Sequence, residues 1–234
     1  MSRIQARRRR IGPLDCIEVL KKEGAPTVIL FHGFGADAAD LASLADVVSV
    51  PKDTNWIFPN GHLTVPLGGH FEGRAWFPIS VRDMEATALT GTPLDFTQLS
   101  PPGLKKARQN AFDLLAALKL PLDKIILGGF SQGAMLAIDV TLESEQNSAG
   151  LAILSGTLVD SARWQQLALR HKGLSFFQAH GVHDPVLPFE AAQKLEKVLR
   201  DGGLQGQLYR FDGAHAIPPE VLIRLGDFVR TRFK

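Results

Sequence analysis

The chain has 234 residues, 45% hydrophobic and 21% charged, with a mean hydropathy near zero. This fits one large domain with a full core and excludes a disordered chain. Ordinary Gly and Pro content excludes collagen-like and low-complexity classes, the single Cys16 excludes a disulfide scaffold or a cysteine-rich zinc site, and a formal charge of +2 excludes a whole-protein field for polyanions.

Arg3, Arg7, Arg8, Arg9 and Arg10 crowd the first ten residues. No apolar signal core follows them, and Asp15 before Cys16 spoils a lipoprotein cleavage site. No run of about 18 apolar residues exists. The expectation is a cytoplasmic protein without stable membrane insertion. Residues 1–24 read as a basic segment with an outer strand at 16–20, and the arginine run reads as a solvated terminus rather than a nucleic-acid site.

Residues 25–234 then read as one domain. Residues 27–31 form a β-branched, apolar run that fits a strand buried on both faces. Residues 37–48 read as a helix, and Trp56-Ile57-Phe58 as a strand ended by Pro59-Asn60-Gly61. Residues 60–103 show no clear period. They read as a long connection covering the site, in which Gly68, Gly69 and Gly73 permit movement. Leu104, Ala107, Ala111, Leu114, Leu115 and Leu118 recur at helical spacing. Strands are predicted at 125–127, 151–154, 174–178 and 208–211. Helices are predicted at 132–142, through Ala191 to Gly202, and from Pro219 onward. This alternation predicts an α/β fold with a mostly parallel sheet covered on both faces.

Gly129-Phe130-Ser131-Gln132-Gly133 follows a predicted strand and opens a predicted helix. That is the strand–turn–helix setting of a nucleophile elbow. The turn lifts the Ser131 hydroxyl above the sheet and aims the Gln132 N–H at an incoming oxyanion. A serine hydroxyl needs a base. Of the seven histidines, His215 alone lies in the loop after the last strand. Asp184, in the loop after the preceding strand, is the candidate acid, with Asp160 a weaker alternative. Phe34, in the loop His32-Gly33-Phe34-Gly35, is the candidate second oxyanion donor through its backbone N–H. His32 reads as structural. A zinc site from His32, His180 and His183 lacks carboxylate spacing, so no metal is expected.

These residues resemble a known family. Leu30-Phe31-His32-Gly33-Phe34-Gly35-Ala36-Asp37, Gly129-Phe130-Ser131-Gln132-Gly133-Ala134-Met135, His180-Gly181-x-x-Asp184-Pro185-x-x-Pro188 and Gly213-x-His215 occur in that order. Together, from about residue 27 to 233, they are similar to the phospholipase/carboxylesterase family of α/β-hydrolases, which includes the acyl-protein thioesterases. The resemblance implies a serine carboxylesterase that uses no cofactor. It would act on a small-molecule or lipid ester of short to medium acyl chain, through an acyl-enzyme on Ser131. Lysophospholipase and acyl-protein thioesterase are the alternatives, and a catalytically idle binding module is the reading from another class. Phe71, Trp76, Phe77 and Leu67 are candidate walls of an acyl pocket, or else aromatics that pack the connection onto the body. Ala75-Trp76-Phe77 resembles a family segment, but Pro78 stands where Asp is usual, Val182 replaces a small or acidic residue and Phe34 a Leu. The resemblance therefore carries the catalytic residues further than the substrate. No oligomeric interface is legible.

Overall fold

A computed structural model describes residues 6–79, 96–98 and 100–234. Its centre is an eight-stranded sheet. In chain order the strands are β1 (Ala6–Ile11), β2 (Leu14–Val19), β3 (Thr27–Phe31), β4 (Asn55–Pro59), β7 (Ile125–Phe130), β8 (Gly150–Leu154), β9 (Ser175–Gly181) and β10 (Gln205–Phe211). Their spatial order is β1-β2-β4-β3-β7-β8-β9-β10. From β4 to β10 every neighbouring pair is parallel, whereas β1/β2 and β2/β4 are antiparallel. A separate hairpin joins β5 (Leu63–Gly68) to β6 (Phe71–Ala75).

Each central strand is apolar on both sides because the sheet is covered on both sides. Ile29, Phe31, Ile125 and Leu127 face a core built with α3 (Leu104–Leu118), α4 (Gln132–Glu143), α5 (Ser161–Ala168) and α6 (Phe189–Asp201). Val28, Leu30 and Ile126 face a second core built with α1 (Ala38–Ala42), α2 (Leu44–Val47) and α7 (Pro219–Arg232). The alternation of odd and even positions between the two cores is the pleat itself.

Several elements differ from the sequence expectation. The arginine-rich segment is the edge strand β1, and it joins the sheet through β2. Its side chains are solvated as expected, but pairing with β2 orders its backbone. The helix expected over 37–48 tightens at Ser43 into α1 and α2, where Asp46 N–H bonds Ser43 O in a shorter, i to i+3 turn. Helix α5 was not anticipated, since it offers only Trp164, Leu167 and Ala168 as an apolar stripe. The hairpin β5/β6 lies inside the connection 60–103. The expectation that this connection covers the site falls largely on residues 80–95 and 99, outside the described residues. Among the described residues, no helix is long and apolar enough to cross a membrane. Cys16 is buried, and burial pushes its thiol up to about 12, which makes it inert as a nucleophile.

Candidate active site

The parallel strands β3, β4, β7, β8, β9 and β10 all end on one side of the sheet, and the candidate residues gather there. Strand β7 ends at Phe130 and α4 starts at Gln132, so Ser131 alone makes the turn. Its backbone adopts φ 55° and ψ −119°, a strained region for a residue with a Cβ. The surroundings hold it there. Ser131 N–H donates to Leu154 O at 2.9 Å, and Ser131 O accepts from Ala134 and Met135 N–H at 3.0 and 3.2 Å.

The flanking glycines explain why the turn can be so sharp. A Cβ on Gly129 would lie 2.4 Å from the Gly133 carbonyl carbon. A Cβ on Gly133 would lie 2.0 Å from Phe31 O. Helix α4 therefore packs directly on the ends of β3 and β7, with Ser131 at its N-terminus.

The other two candidates meet near the elbow. His215 Nδ1 lies 2.6 Å from Asp184 Oδ2. A carboxylate can only accept, so Nδ1 carries the proton and Nε2 is left as the basic nitrogen. The His215 ring packs on Phe130, the residue before Ser131, with centroids 4.8 Å apart. Among the described residues no hydrogen bond joins Ser131 Oγ to His215. Catalytic hydrogen bonds of this kind often close only around substrate.

Asp184 is held from several sides. Its Oδ1 accepts from Val186 and Leu187 N–H, both at 2.9 Å. Its Oδ2 accepts from His215 and lies 3.1 Å from His180 Nε2, which is also 3.1 Å from Leu187 O. Burial alone would raise this carboxyl. The donors from His180, His215 and Leu187 outweigh burial and hold it well below the usual carboxylate range. The sign of the linkage follows. Asp184 stabilises the fold fully above the ordinary carboxylate range of about 4, and that contribution is lost as pH falls through its lower folded value. The melting-temperature gap between the parent and Asp184→Asn should therefore narrow as pH drops below about 4. A gap that stays constant or widens on acidification would show that Asp184 is not held ionised by these donors.

The oxyanion candidates also sit together. A Cβ placed on Gly33 would touch Ser131 Cβ at 3.4 Å, so the loop after β3 lies against the elbow. Among the described residues, neither Phe34 N–H nor Gln132 N–H has a hydrogen-bond partner in the protein. Both are donors with nothing to satisfy them internally. The loop is tied down from beneath, because Gly35 N–H donates to Arg74 O and Arg74 N–H to Ala36 O, each at 2.9 Å.

Several contacts here were not legible in the sequence. The Gln132 side chain is fully buried, accepting from Trp76 N–H at 2.9 Å and donating to Phe77 O at 2.7 Å. The Trp76 indole donates to His32 O at 2.8 Å. Gln132 thus clamps the segment after β6 to the elbow, and that segment clamps the loop after β3. His32 completes the brace. Its Nε2 accepts from Gly61 N–H at 2.9 Å, so Nδ1 donates to Gly33 O at 2.7 Å. Burial lowers its basicity, in keeping with a structural histidine. The last of them is His180 beside Asp184. Its only sequence signal was its place in His180-Gly181-x-x-Asp184.

The pocket candidates separate. Trp76 and Phe77 are 0% exposed and belong to the core beside Phe31 and Leu104. They pack the connection onto the body. Phe71 is 79% exposed and Leu67 53%, both on the β5/β6 hairpin. Leu67 comes within 3.1 Å of where a Gly35 Cβ would stand, beside the loop after β3. Asp160 lies before α5 and does not meet His215. His183 and Asp212 form an exposed pair at 3.1 Å. Among the described residues, no group of His, Cys, Asp and Glu is arranged to hold a metal.

The phospholipase/carboxylesterase family matches residues 14–233. The chain belongs to the phospholipase/carboxylesterase family. Its fold is the α/β-hydrolase fold, and as a member of this family it is a hydrolase of the carboxylesterase and acyl-protein thioesterase type. It is 28% identical over 210 residues to acyl-protein thioesterase 1 of Schizosaccharomyces pombe, covering 88% of this chain and 90% of that one. The crystal structure of esterase PE8 superposes with a TM-score of 0.72 at 26% identity, covering 92% of this chain and 96% of the other. Zea mays acyl-protein thioesterase 2 gives 0.72 at 20% identity, over 94% and 99%, and shows the shared fold. The family match begins in β2, so it takes in an antiparallel strand that the sequence resemblance did not reach.

Proposed function

We propose that this protein is a serine carboxylesterase that hydrolyses short- to medium-chain carboxylic esters through an acyl-enzyme on Ser131. The observation that carries the reading is the strained Ser131 turn, whose preceding residue Phe130 packs on the Asp184-bonded His215 and which adjoins two unsatisfied backbone N–H groups. Ser131 Oγ attacks the ester carbonyl while His215 Nε2 takes its proton. The Phe34 and Gln132 N–H groups, with the α4 N-terminus behind them, hold the tetrahedral oxyanion. His215 then protonates the leaving alcohol as the C–O bond breaks. Water, deprotonated by His215, attacks the acyl-enzyme and releases the acid, restoring the Ser131 hydroxyl. Asp184 stays ionised throughout and fixes the His215 tautomer.

Exposed Leu67, beside the oxyanion loop, and exposed Phe71, on the same hairpin, offer an apolar surface to the acyl chain. Initial rates on p-nitrophenyl esters from acetyl to palmitoyl, with Ser131→Ala as control, test the reading. We expect Ser131-dependent turnover that peaks at short or medium chains. Absence of turnover on every chain length from folded protein would overturn it. The names of the curated relatives favour a second reading, an acyl-protein thioesterase. A thioester hydrolysed much faster than the oxygen ester of the same acyl group would select that reading.

A further inference from the structure

His180 differs from the other buried histidines. It stands near the end of β9, between β8 and β10, and its side chain is fully buried. His32 engages both ring nitrogens, with Gly61 N–H and Gly33 O, and so does His171, with Asn147 Oδ1 and Leu142 O. His180 engages one. Its Nε2 lies 3.1 Å from Leu187 O and 3.1 Å from Asp184 Oδ2, and both oxygens can only accept. Nε2 therefore carries the proton. Its Nδ1 is buried and has no hydrogen-bond partner among the described residues. A buried nitrogen without a partner opposes folding, so packing alone does not call for a histidine here. What the ring supplies is one N–H set between two oxygens of the loop that carries Asp184.

We propose that His180 is a positioning residue that sets the Asp184 carboxylate for His215, an inference that rests on the esterase reading above. The loop from Asp184 to Leu187 closes on itself. Leu187 N–H donates to Asp184 Oδ1 at 2.9 Å, and Leu187 O takes the His180 N–H. That N–H also faces Asp184 Oδ2, the oxygen that receives His215 Nδ1–H at 2.6 Å. The backbone of the loop cannot hold Oδ2. Pro185 and Pro188 have no N–H, and the Val186 and Leu187 N–H groups between them both go to Oδ1. Among the described residues Oδ2 is met only by the two histidines. His215 sits on a loop with its side chain partly exposed. His180 sits on a buried strand, with the Phe189 ring of α6 beside it at 6.2 Å between centroids. The rigid partner is therefore His180, and through Asp184 it transmits the position of the sheet to the base.

The test compares His180→Met, which fills the space without a donor, with His180→Gln, whose amide N–H can take the place of the ring Nε2–H. On p-nitrophenyl butyrate, His180→Met should lower kcat by about tenfold to a hundredfold with KM within about twofold, and His180→Gln should keep kcat within about threefold of the parent. A second readout needs no substrate. In proton NMR of the enzyme alone, His215 Nδ1–H should give a low-field resonance in the parent and in His180→Gln. It should broaden or vanish in His180→Met, because a carboxylate free to turn lets that proton exchange with water. A folded His180→Met with the parent's kcat and resonance overturns the proposal. Equal losses in both folded variants also overturn it, since the ring's shape would then matter and not its donor. Should His180→Met fail to fold, His180→Gln and nitrogen NMR of the parent decide. Retained kcat in His180→Gln with the His180 proton on Nε2 supports the proposal, and loss of kcat in His180→Gln or a His180 proton on Nδ1 overturns it. Should the parent hydrolyse no ester, the esterase reading fails separately, and the His215 resonance with the His180 tautomer then decides whether His180 positions Asp184.

Discussion

Ser131→Ala should lower kcat on a p-nitrophenyl ester by about a thousandfold or more without unfolding the protein. The argument that the fold survives is specific to this position. The strain at φ 55° belongs to any residue with a Cβ, so alanine inherits it without adding to it. The bonds that hold the turn are all backbone, from Ser131 N–H to Leu154 O and from Ala134 and Met135 N–H to Ser131 O. The hydroxyl makes no hydrogen bond among the described residues, so its removal leaves no partner stranded. What is lost is the attacking atom. His215→Ala should cost a similar factor, because the hydroxyl without its base is a poor nucleophile. The double variant should be little worse than either, since the two act as one unit. Residual turnover near the parent rate in either purified variant, with its melting temperature retained, would remove Ser131 and His215 from the reaction. A large loss of melting temperature would instead assign Ser131 a structural part.

Gly133→Ala should have the opposite signature, with folding lost first and activity with it. A Cβ there would stand 2.0 Å from Phe31 O, 2.4 Å from the Phe31 carbonyl carbon and 2.5 Å from His32 O. All three are backbone atoms of the central strand β3 and the loop after it. No side chain can swing away to make room, so β3 or the start of α4 must move. Either movement separates the Gln132 N–H from the Phe34 loop and breaks the Gln132 clamp on Trp76 and Phe77. The expected cost is more than about 3 kcal/mol, at the upper end of overpacking effects. Gly24→Ala is the natural comparison, with φ +68° but nothing within 4 Å of the new Cβ. It should cost only the left-handed backbone penalty, roughly 1–2 kcal/mol. Denaturant unfolding of the two variants measures the difference. A Gly133→Ala protein as stable as Gly24→Ala would mean that α4 does not pack against β3 as closely as described.

The clamp also explains why the aromatic segment could not be assigned correctly from its composition. Trp76 and Phe77 follow an irregular, glycine-containing stretch, and two adjacent large aromatics suit a pocket wall and a core equally well. Only the partners separate the two roles. The Trp76 indole is spent on His32 O, and the Gln132 amide occupies the backbone on either side. The hairpin before it was hidden for a related reason. Its residues are largely exposed, so no apolar alternation marked β5 and β6.

The amino-acid order alone was enough for the parallel strands, most of the helices, the sharp turn at Ser131 and the candidate order of serine, acid and histidine. These features are local. Apolar runs report burial on two faces, helical spacing reports one face, and glycines beside a serine report a turn that has no room for side chains. Other features depend on residues far apart in the chain. An arginine run becomes a strand because β2 offers it hydrogen bonds, and its charges divide between Glu18 and solvent because a pleat has two faces. His180 reaches Asp184, and Gln132 reaches Trp76 across 56 positions, because the folded backbone puts buried donors beside acceptors that must be satisfied. Spacing along the chain carries no record of such pairings, since their geometry exists only once the sheet and its covering helices have assembled.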